Sequence, residues 1–343
     1  MRPILILALS LLLPAPAFAA SVEVVMSGLD NPRGLAFAPN GALYVAESGR
    51  GGTHPCISIR GTAFCHGSTG AISRLHKGRQ DRIVQGLPSI ADAAGTETGG
   101  PNDVSFQGNV AYVTIGFAGV DPSQRSVFGA AGKVYGHLLK VNPNGKWQVV
   151  ADISAHEASH NPAGGPLETN PFAVLAEPGA QFVTDAAGNS LLRVAANGTM
   201  TTVATFPSRP FAATDAVPTG FARGPDGAIY LGQLTGVPFV DGAANIFRIA
   251  PGQAPTAWQS GFKTIIDLDF AADGSLYVLE HATGPVFFVG PGRIIRIAPD
   301  GSRSVVLAGL DRPTGLAVGP DGALYVSNRG ITAMAGEVLR IVP

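Results

Sequence analysis

The chain has 343 residues, of which 14% are charged, and a formal net charge of −1. That sparse and balanced charge leaves no basic face for nucleic acid and none for an acidic membrane surface. Gly 45 and Pro 27 recur at regular intervals between apolar runs, which points to many short strands joined by turns rather than to low complexity.

Residues 1–20 open with Met1-Arg2, run apolar from Ile4 to Leu13 and end in Ala17-Phe18-Ala19-Ala20. A basic start, an apolar stretch of about ten residues and a small-residue ending predict a secretory signal peptide. The stretch is shorter than the roughly 20 residues a spanning helix needs, and no later run is long enough, so no membrane span is expected. The expected location is extracytoplasmic, either periplasmic or secreted. Residues 21–343 are then read as one domain.

From Pro32 onward a phrase recurs. It reads PRGLAFAPNGALYVAE from Pro32, PNDVSFQGNVAYVTI from Pro101, PFAVLAEPGAQFVTD from Pro171, PTGFARGPDGAIYLGQ from Pro218, IIDLDFAADGSLYVLE from Ile265 and PTGLAVGPDGALYVSN from Pro313. Its aromatic falls at Tyr44, Tyr112, Phe182, Tyr230, Tyr277 and Tyr325, a period near fifty once two insertions are allowed for. Within the last copy, Gly315–Val318 predicts a strand, Pro320-Asp321-Gly322 a turn and Ala323–Val326 a second strand. A third strand recurs as a basic or polar residue between two apolar ones: SRL at Ser73, LKV at Leu139, LRV at Leu192, FRI at Phe247, IRI at Ile295 and LRI at Leu339. It reads as a strand with one solvated face. Fourth strands follow at Trp147–Val150, Met200–Val203 and Arg303–Leu307.

Four antiparallel strands repeated six times predict an all-β, six-bladed β-propeller. The last copy stops after its third strand, while Ser21–Leu29 (SVEVVMSGL) matches the apolar pattern of Ser302–Leu310 (SRSVVLAGL). The N-terminal strand is therefore expected to complete the last blade and close the ring, which removes exposed sheet edges.

Two insertions, near 49–69 and 117–134, follow the second strand of blades one and two and should stand side by side on one rim. The first holds Cys56 and Cys65. Two cysteines so close, without paired histidines, predict a disulfide rather than a zinc site. By the chain-entropy argument it would add ~2–3 kcal/mol of loop stability.

Innermost strands line the channel of a propeller, so the start of each repeat marks candidate ligand-binding residues. Aligned, the copies put Arg33, Asn102, Phe172, Thr219, Ile266 and Thr314 on one level. Gly34, Asp103, Ala173, Gly220, Asp267 and Gly315 form the next, and a one-residue shift in the third copy brings Asn170 near the first. Asn102, Asp103, Asn170 and Asp267 are hard oxygen donors, a candidate site for Ca²⁺ or another divalent cation, although calcium takes six to eight oxygens. Asx residues beside turns also bond their own backbone. No cofactor is fixed by the sequence.

His156-Glu157-Ala158-Ser159-His160 spells the two-histidine zinc pattern. Pro162 and Gly164-Gly165 leave it only about two helical turns, so it is read as a chance match rather than a hydrolase centre. Glu47 and Glu280 end the second strands of their blades, with His281 beside the latter. They are either an acid–base element or solvated loop carboxylates. There is no GxSxG elbow and no GxGxxG opening a βαβ unit.

Several phrases resemble the ScyD/ScyE family of extracytoplasmic propeller proteins, named for its association with biosynthesis of the cyanobacterial pigment scytonemin. They are GLDNPRGLAFAPNGALYVAESGRGG from Gly28, GGPNDVSF from Gly99, NPAGGPLETNPFAVL from Asn161, VTDAAGNSLLRV from Val183 and VPTGFARGPDGAIYLGQLTG from Val217, together with the Cys56/Cys65 insertion. More distantly the blades are similar to NHL-repeat proteins and gluconolactonase-type propellers. That second likeness implies a channel metal on Asn102, Asn170 and Asp267, but blade one offers Arg33 where those enzymes carry a carboxylate. The expected function is a module that binds a small molecule or protein at the loop-rich face, without established catalysis. The alternative is a divalent-metal-dependent lactonase or esterase.

Overall fold

The computed structural model describes residues 20–209, 212–285 and 288–343. The expected signal peptide, apart from Ala20, lies outside them. Six antiparallel sheets stand around an axis, each entered through its innermost strand. Those inner strands are Pro32–Phe37, Pro101–Gln107, Pro171–Glu177, Pro218–Arg223, Ile265–Phe270 and Gly315–Val318, and each packs on the next around the ring. This is the six-bladed propeller that the repeat predicts, with four strands in blades two to six and a longer sheet in blade one.

The ring closes as expected. Ser21–Leu29 pairs antiparallel with Gly336–Val342, Ser21 opposite Val342 and Leu29 opposite Gly336. Met26 and Leu29 are buried and pack with Leu35, Leu43, Val45, Ala317 and Val338, so the first strand joins blade six to blade one.

The repeated aromatic and the repeated basic residue turn out to be partners. Tyr44 faces Arg74, Tyr112 faces Lys140, Phe182 faces Arg193, Tyr230 faces Arg248, Tyr277 faces Arg296 and Tyr325 faces Arg340 across the second and third strands. In blades four and six the turn aspartate completes the group. Tyr230 Oη and Arg248 Nε both donate to Asp226, and Tyr325 Oη and Arg340 Nε both donate to Asp321. In these two blades the third-strand cation is thus tied to the hairpin of the first two strands, whereas Arg193 of blade three is exposed as a solvated face requires. The hairpin glycines Gly227 and Gly322 sit at φ 76°, a conformation that favours glycine.

The two insertions support one another. Cys56–Ile59 folds back on an extended third strand, Thr62–His76, with the disulfide Cys56–Cys65 joining cross-strand neighbours. The second insertion forms short 3-10 turns at Pro122–Phe128 and Ala131–Val134. Phe117, Phe128 and Tyr135 pack with Ile57, Ile59 and Phe64, and His66 Nδ1 lies 2.8 Å from Tyr135 Oη. Among the described residues no helix is long and apolar enough to cross a membrane.

Candidate functional site

Each blade must turn sharply from its outer rim into the inner strand, and the exposed backbone at that corner needs partners. An acceptor at the end of the second strand supplies one. Glu47 Oε2 accepts the Asp30 N–H at 2.6 Å, Asp185 Oδ1 the Asn170 N–H at 2.7 Å, Glu280 Oε1 the Lys263 N–H at 2.8 Å and Asn328 Oδ1 the Asp311 N–H at 2.9 Å. Glu47 and Glu280 are fully buried and also receive Arg82 and Arg293. They are therefore not solvated loop carboxylates: each is buried with one oxygen on a corner N–H and an arginine on the carboxylate.

The first channel level splits into two sets that alternate around the ring. In blades two, four and six the side chain is used against the next blade. Asn102 Nδ2 donates to Pro171 O at 2.8 Å, Thr219 Oγ1 to Ile265 O at 2.7 Å and Thr314 Oγ1 to Pro32 O at 2.6 Å. In blades one, three and five the side chains are Arg33, Phe172 and Ile266, and these form the floor of a cavity above the channel. The third copy is in the register first assigned, since Pro171 pairs with Asp185 as Pro32 pairs with Glu47. Asn170 precedes the strand, lines the same cavity, and its Oδ1 accepts the Phe117 N–H at 3.1 Å.

The second level faces the opposite chamber, which is about 380 Å³ and lined by Asp103, Asp267 and Asp269 among apolar strand residues. Asp103 accepts its own blade's Val104 N–H and the next blade's Val174 N–H, both at 2.8 Å. Asp267 repeats the pattern three blades on, with Leu268 at 2.9 Å and Leu316 at 2.8 Å. Gly34 and Gly220 precede them in the ring because a Cβ there would collide with the Asp103 and Asp267 carboxylates. Burial raises Asp103 to about 7, and burial with the Asp103 charge raises Asp267 well above the usual carboxylate range.

The donors expected for a divalent cation are therefore distributed over two chambers. Asn170 opens upward and Asp267 downward, while the amide of Asn102 is held against Pro171 O. The Asp267 oxygens each hold a backbone N–H. As arranged, the three do not present one coordination sphere, and no chemical step is derived through a cation. Among the described residues no group of three or more His, Cys, Asp or Glu side chains is placed to hold a metal ion.

The HEASH segment forms one short helix, Ile153–His160, capped by Asp152 Oδ1 on the Ala155 N–H and ended by Asn161 at φ 39°. His156 and His160 stack on each other with ring centroids 4.3 Å apart, and Glu157 is buried next to Asp185 and Gly188. The helix packs against the second insertion and His137–Val141 of blade two, with Glu157 reaching the Asp185–Gly188 turn of blade three.

What remains open is the upper cavity, about 620 Å³ in volume. Its walls come from non-repeating loops: Ile59 and Phe64 of the disulfide hairpin, Thr96–Thr98, Leu234, Val237 and Phe239 of blade four, His281, Phe288 and Val289 of blade five, and Ile331. Phe239 and Phe288 stack at 4.3 Å, and Phe239 holds φ 58°, a backbone region that a bulky residue seldom adopts. Such outliers gather at ligand sites because the surrounding structure must hold them. Arg60 lines the cavity too, and a side arm of about 410 Å³ adds Glu168, Arg209 and Asp215. Arg33 donates from Nη2 to Thr98 Oγ1 at 2.9 Å, its Nε has no partner, and burial lowers its pKa to about 10. His281 Nδ1 lies 2.9 Å from Pro313 O, and burial, with smaller contributions from Arg33 and Arg312, lowers its pKa to about 4. The imidazole is therefore neutral near pH 7.

Of the sequence candidates, the structure brings Arg33 and Asn170 to this cavity, gives Asn102, Thr219 and Thr314 to blade joints, and sends Asp103 and Asp267 to the lower chamber. The aromatic walls were missed. Their only signal is aromatic residues in loops that break the repeat.

No protein-family model and no curated protein sequence matches this chain. Solved structures share its fold. A putative glucose dehydrogenase from Thermus thermophilus superposes with TM-score 0.56 at 18% identity, covering 94% of this chain and 100% of that one. A gluconolactonase from Xanthomonas campestris gives 0.55 at 11%, covering 94% and 90%. Virginiamycin B lyase from Staphylococcus aureus, a catalytically inactive histidine-to-alanine variant with quinupristin, gives 0.52 at 13%, covering 94% and 99%. At these identities the likeness establishes the six-bladed propeller shared with gluconolactonase-like and lyase-like proteins, and nothing finer.

Proposed function

We propose that this protein is an extracytoplasmic propeller that binds a small, largely apolar molecule in the cavity above its channel. The observation that carries this reading is the cavity itself: about 620 Å³, floored by Arg33, Phe172 and Ile266 and walled by loop aromatics. That size and lining suit a drug-sized ligand. The disulfide Cys56–Cys65 in its wall supports an oxidising compartment. Membership of the ScyD/ScyE family, and with it a tie to a scytonemin-like secondary-metabolite pathway, rests on the sequence phrases alone.

Fluorescence titration with naphthalene probes tests the reading. A saturable one-to-one complex is expected, weakened about tenfold by Phe239→Ala, which removes half of the aromatic stack. Uptake that never saturates, or that ignores Phe239→Ala, overturns it.

The second reading is the divalent-metal lactonase or esterase. It draws on the gluconolactonase among the fold neighbours. A panel of lactones and aryl esters, assayed with and without Ca²⁺, separates the two. Pure binding predicts no turnover in either condition, whereas turnover lost in Asp267→Ala would establish the enzyme.

A further inference from the structure

The cavity floor holds a cation that the protein leaves without a counter-charge. Arg50, Arg74, Arg82, Arg125, Arg223 and Arg293 each meet a carboxylate within 3 Å. Arg33 meets none among the described residues within ion-pair distance. Its one recorded bond is to the neutral hydroxyl of Thr98, and its Nε is buried without a partner. A guanidinium presents a rigid fork of donors matched to a planar carboxylate. That of Arg33 shares the cavity floor with Phe172 and Ile266, where an anion would meet charge-assisted donors.

His281 supplies the complementary group. Pro313 O can only accept, so Nδ1 carries the proton and Nε2 is left as an acceptor. No partner within the protein is recorded for Nε2, and the ring lines the cavity against Phe288, at 5.1 Å between centroids. Glu97 and a second cation, Arg60, also line the cavity itself, and Arg60 extends along the side arm, where Glu168 lies.

We infer that the ligand is an aromatic or similarly apolar carboxylic acid bearing a hydroxyl donor, its carboxylate on Arg33 and its hydroxyl on His281 Nε2. The ring of such a molecule would lie against Phe172, Ile266 and the Phe239–Phe288 pair. This rests on the cavity-binding reading above and adds polarity and orientation to it.

Three probes of one shape test it by fluorescence or calorimetric titration: 2-naphthylglycolate, 2-naphthylacetate and 2-naphthaleneethanol. The expected order of affinity is hydroxy acid, then acid, then alcohol, with the acids favoured about tenfold or more over the alcohol. Arg33→Gln should abolish the preference for the acids and leave alcohol binding unchanged, while Arg33→Lys keeps a preference for negative charge. His281→Phe should remove only the advantage of the hydroxy acid. Melting curves check that each variant is folded. Equal affinity for alcohol and acids in the native protein, or an acid preference that survives in folded Arg33→Gln, overturns the inference while cavity binding stands. If none of the three binds saturably and Phe239→Ala changes nothing, the cavity reading fails and the inference with it.

Discussion

A chain that begins at Asp30 instead of Ala20 is expected to lose its cooperative melting transition and to elute as aggregate on gel filtration. The strand removed is the outer strand of blade six, and its loss bares the edge of Gly336–Val342. An unpaired edge is a template for pairing with other chains. The truncation also takes away Met26 and Leu29, both buried at the joint with blade one. Emptying two such positions costs about 2–5 kcal/mol each, against a total stability of roughly 5–15 kcal/mol for a typical protein. Because Ser21–Leu29 pairs with Gly336–Val342 and leads straight into Pro32–Phe37, the damage is not local: the strand is the covalent link from blade six to blade one. Without it, contacts such as Thr314 Oγ1 on Pro32 O and Phe37 on Tyr325 would be left to hold the closure among the described residues. A variant starting at Asp30 that stays monomeric and melts within about 2 °C of the longer chain would show that the closure carries little stability.

The repeat made the blades legible because each hairpin needs the same chemistry at the same offset. A turn glycine at positive φ, an aromatic and a cation across from it recur for local reasons, so counting them counts blades. Closure was legible too, since Ser21–Leu29 carries the apolar pattern of a fourth strand that the last copy lacks. The site was only partly legible. Alignment placed Arg33, Phe172 and Ile266 on one level with Asn102, Thr219 and Thr314, but gave no sign that alternate blades use that level differently. The distinction depends on reach: a threonine or asparagine is short enough to meet the neighbouring carbonyl, whereas Arg33 and Phe172 extend past it into the cavity. The departures at Asn102-Asp103 and Ile266-Asp267 did mark a special arrangement. Their carboxylates, set three blades apart and each preceded by a glycine blade, join blades across the lower chamber. Phe239 and Phe288 lie in loops without periodicity, where pattern reasoning has nothing to compare.

Buried carboxyls such as these make the fold sensitive to pH, and the expected direction is a melting temperature that falls as pH rises from 7.5 to 8.5. Burial raises Asp103 to about 7 and Glu157 to about 8, and holds Asp185 and Asp267 above the ordinary carboxylate range. In the unfolded chain each of these groups loses its proton near pH 4. Between that value and the folded one the native state binds more protons than the unfolded state, so stability decreases as pH increases. The buried histidines act the other way. His66, His137, His156 and His281 are all lowered by burial, so the unfolded chain takes up protons on them as pH falls through about 6.5, and stability drops toward acid. An ordinary imidazole is still half charged at about pH 6.5, so the two trends overlap up to about pH 7.5; above that the histidines are neutral in both states and the carboxyls act alone. Their combined loss across the window is on the order of 1–3 kcal/mol, or about 2 °C or more in melting temperature. Asp267→Asn should flatten this slope. It weakens the joint to Leu316 at every pH, because an amide has one acceptor where the carboxylate has two, yet it removes the charge that makes the native state costly in base. The informative quantity is therefore the slope and not the height of the curve. A native protein whose melting temperature is level or rising from pH 7.5 to 8.5, or an Asp267→Asn variant with an undiminished fall, would mean that these carboxyls are ionised at neutral pH and that the paired backbone N–H groups outweigh their burial.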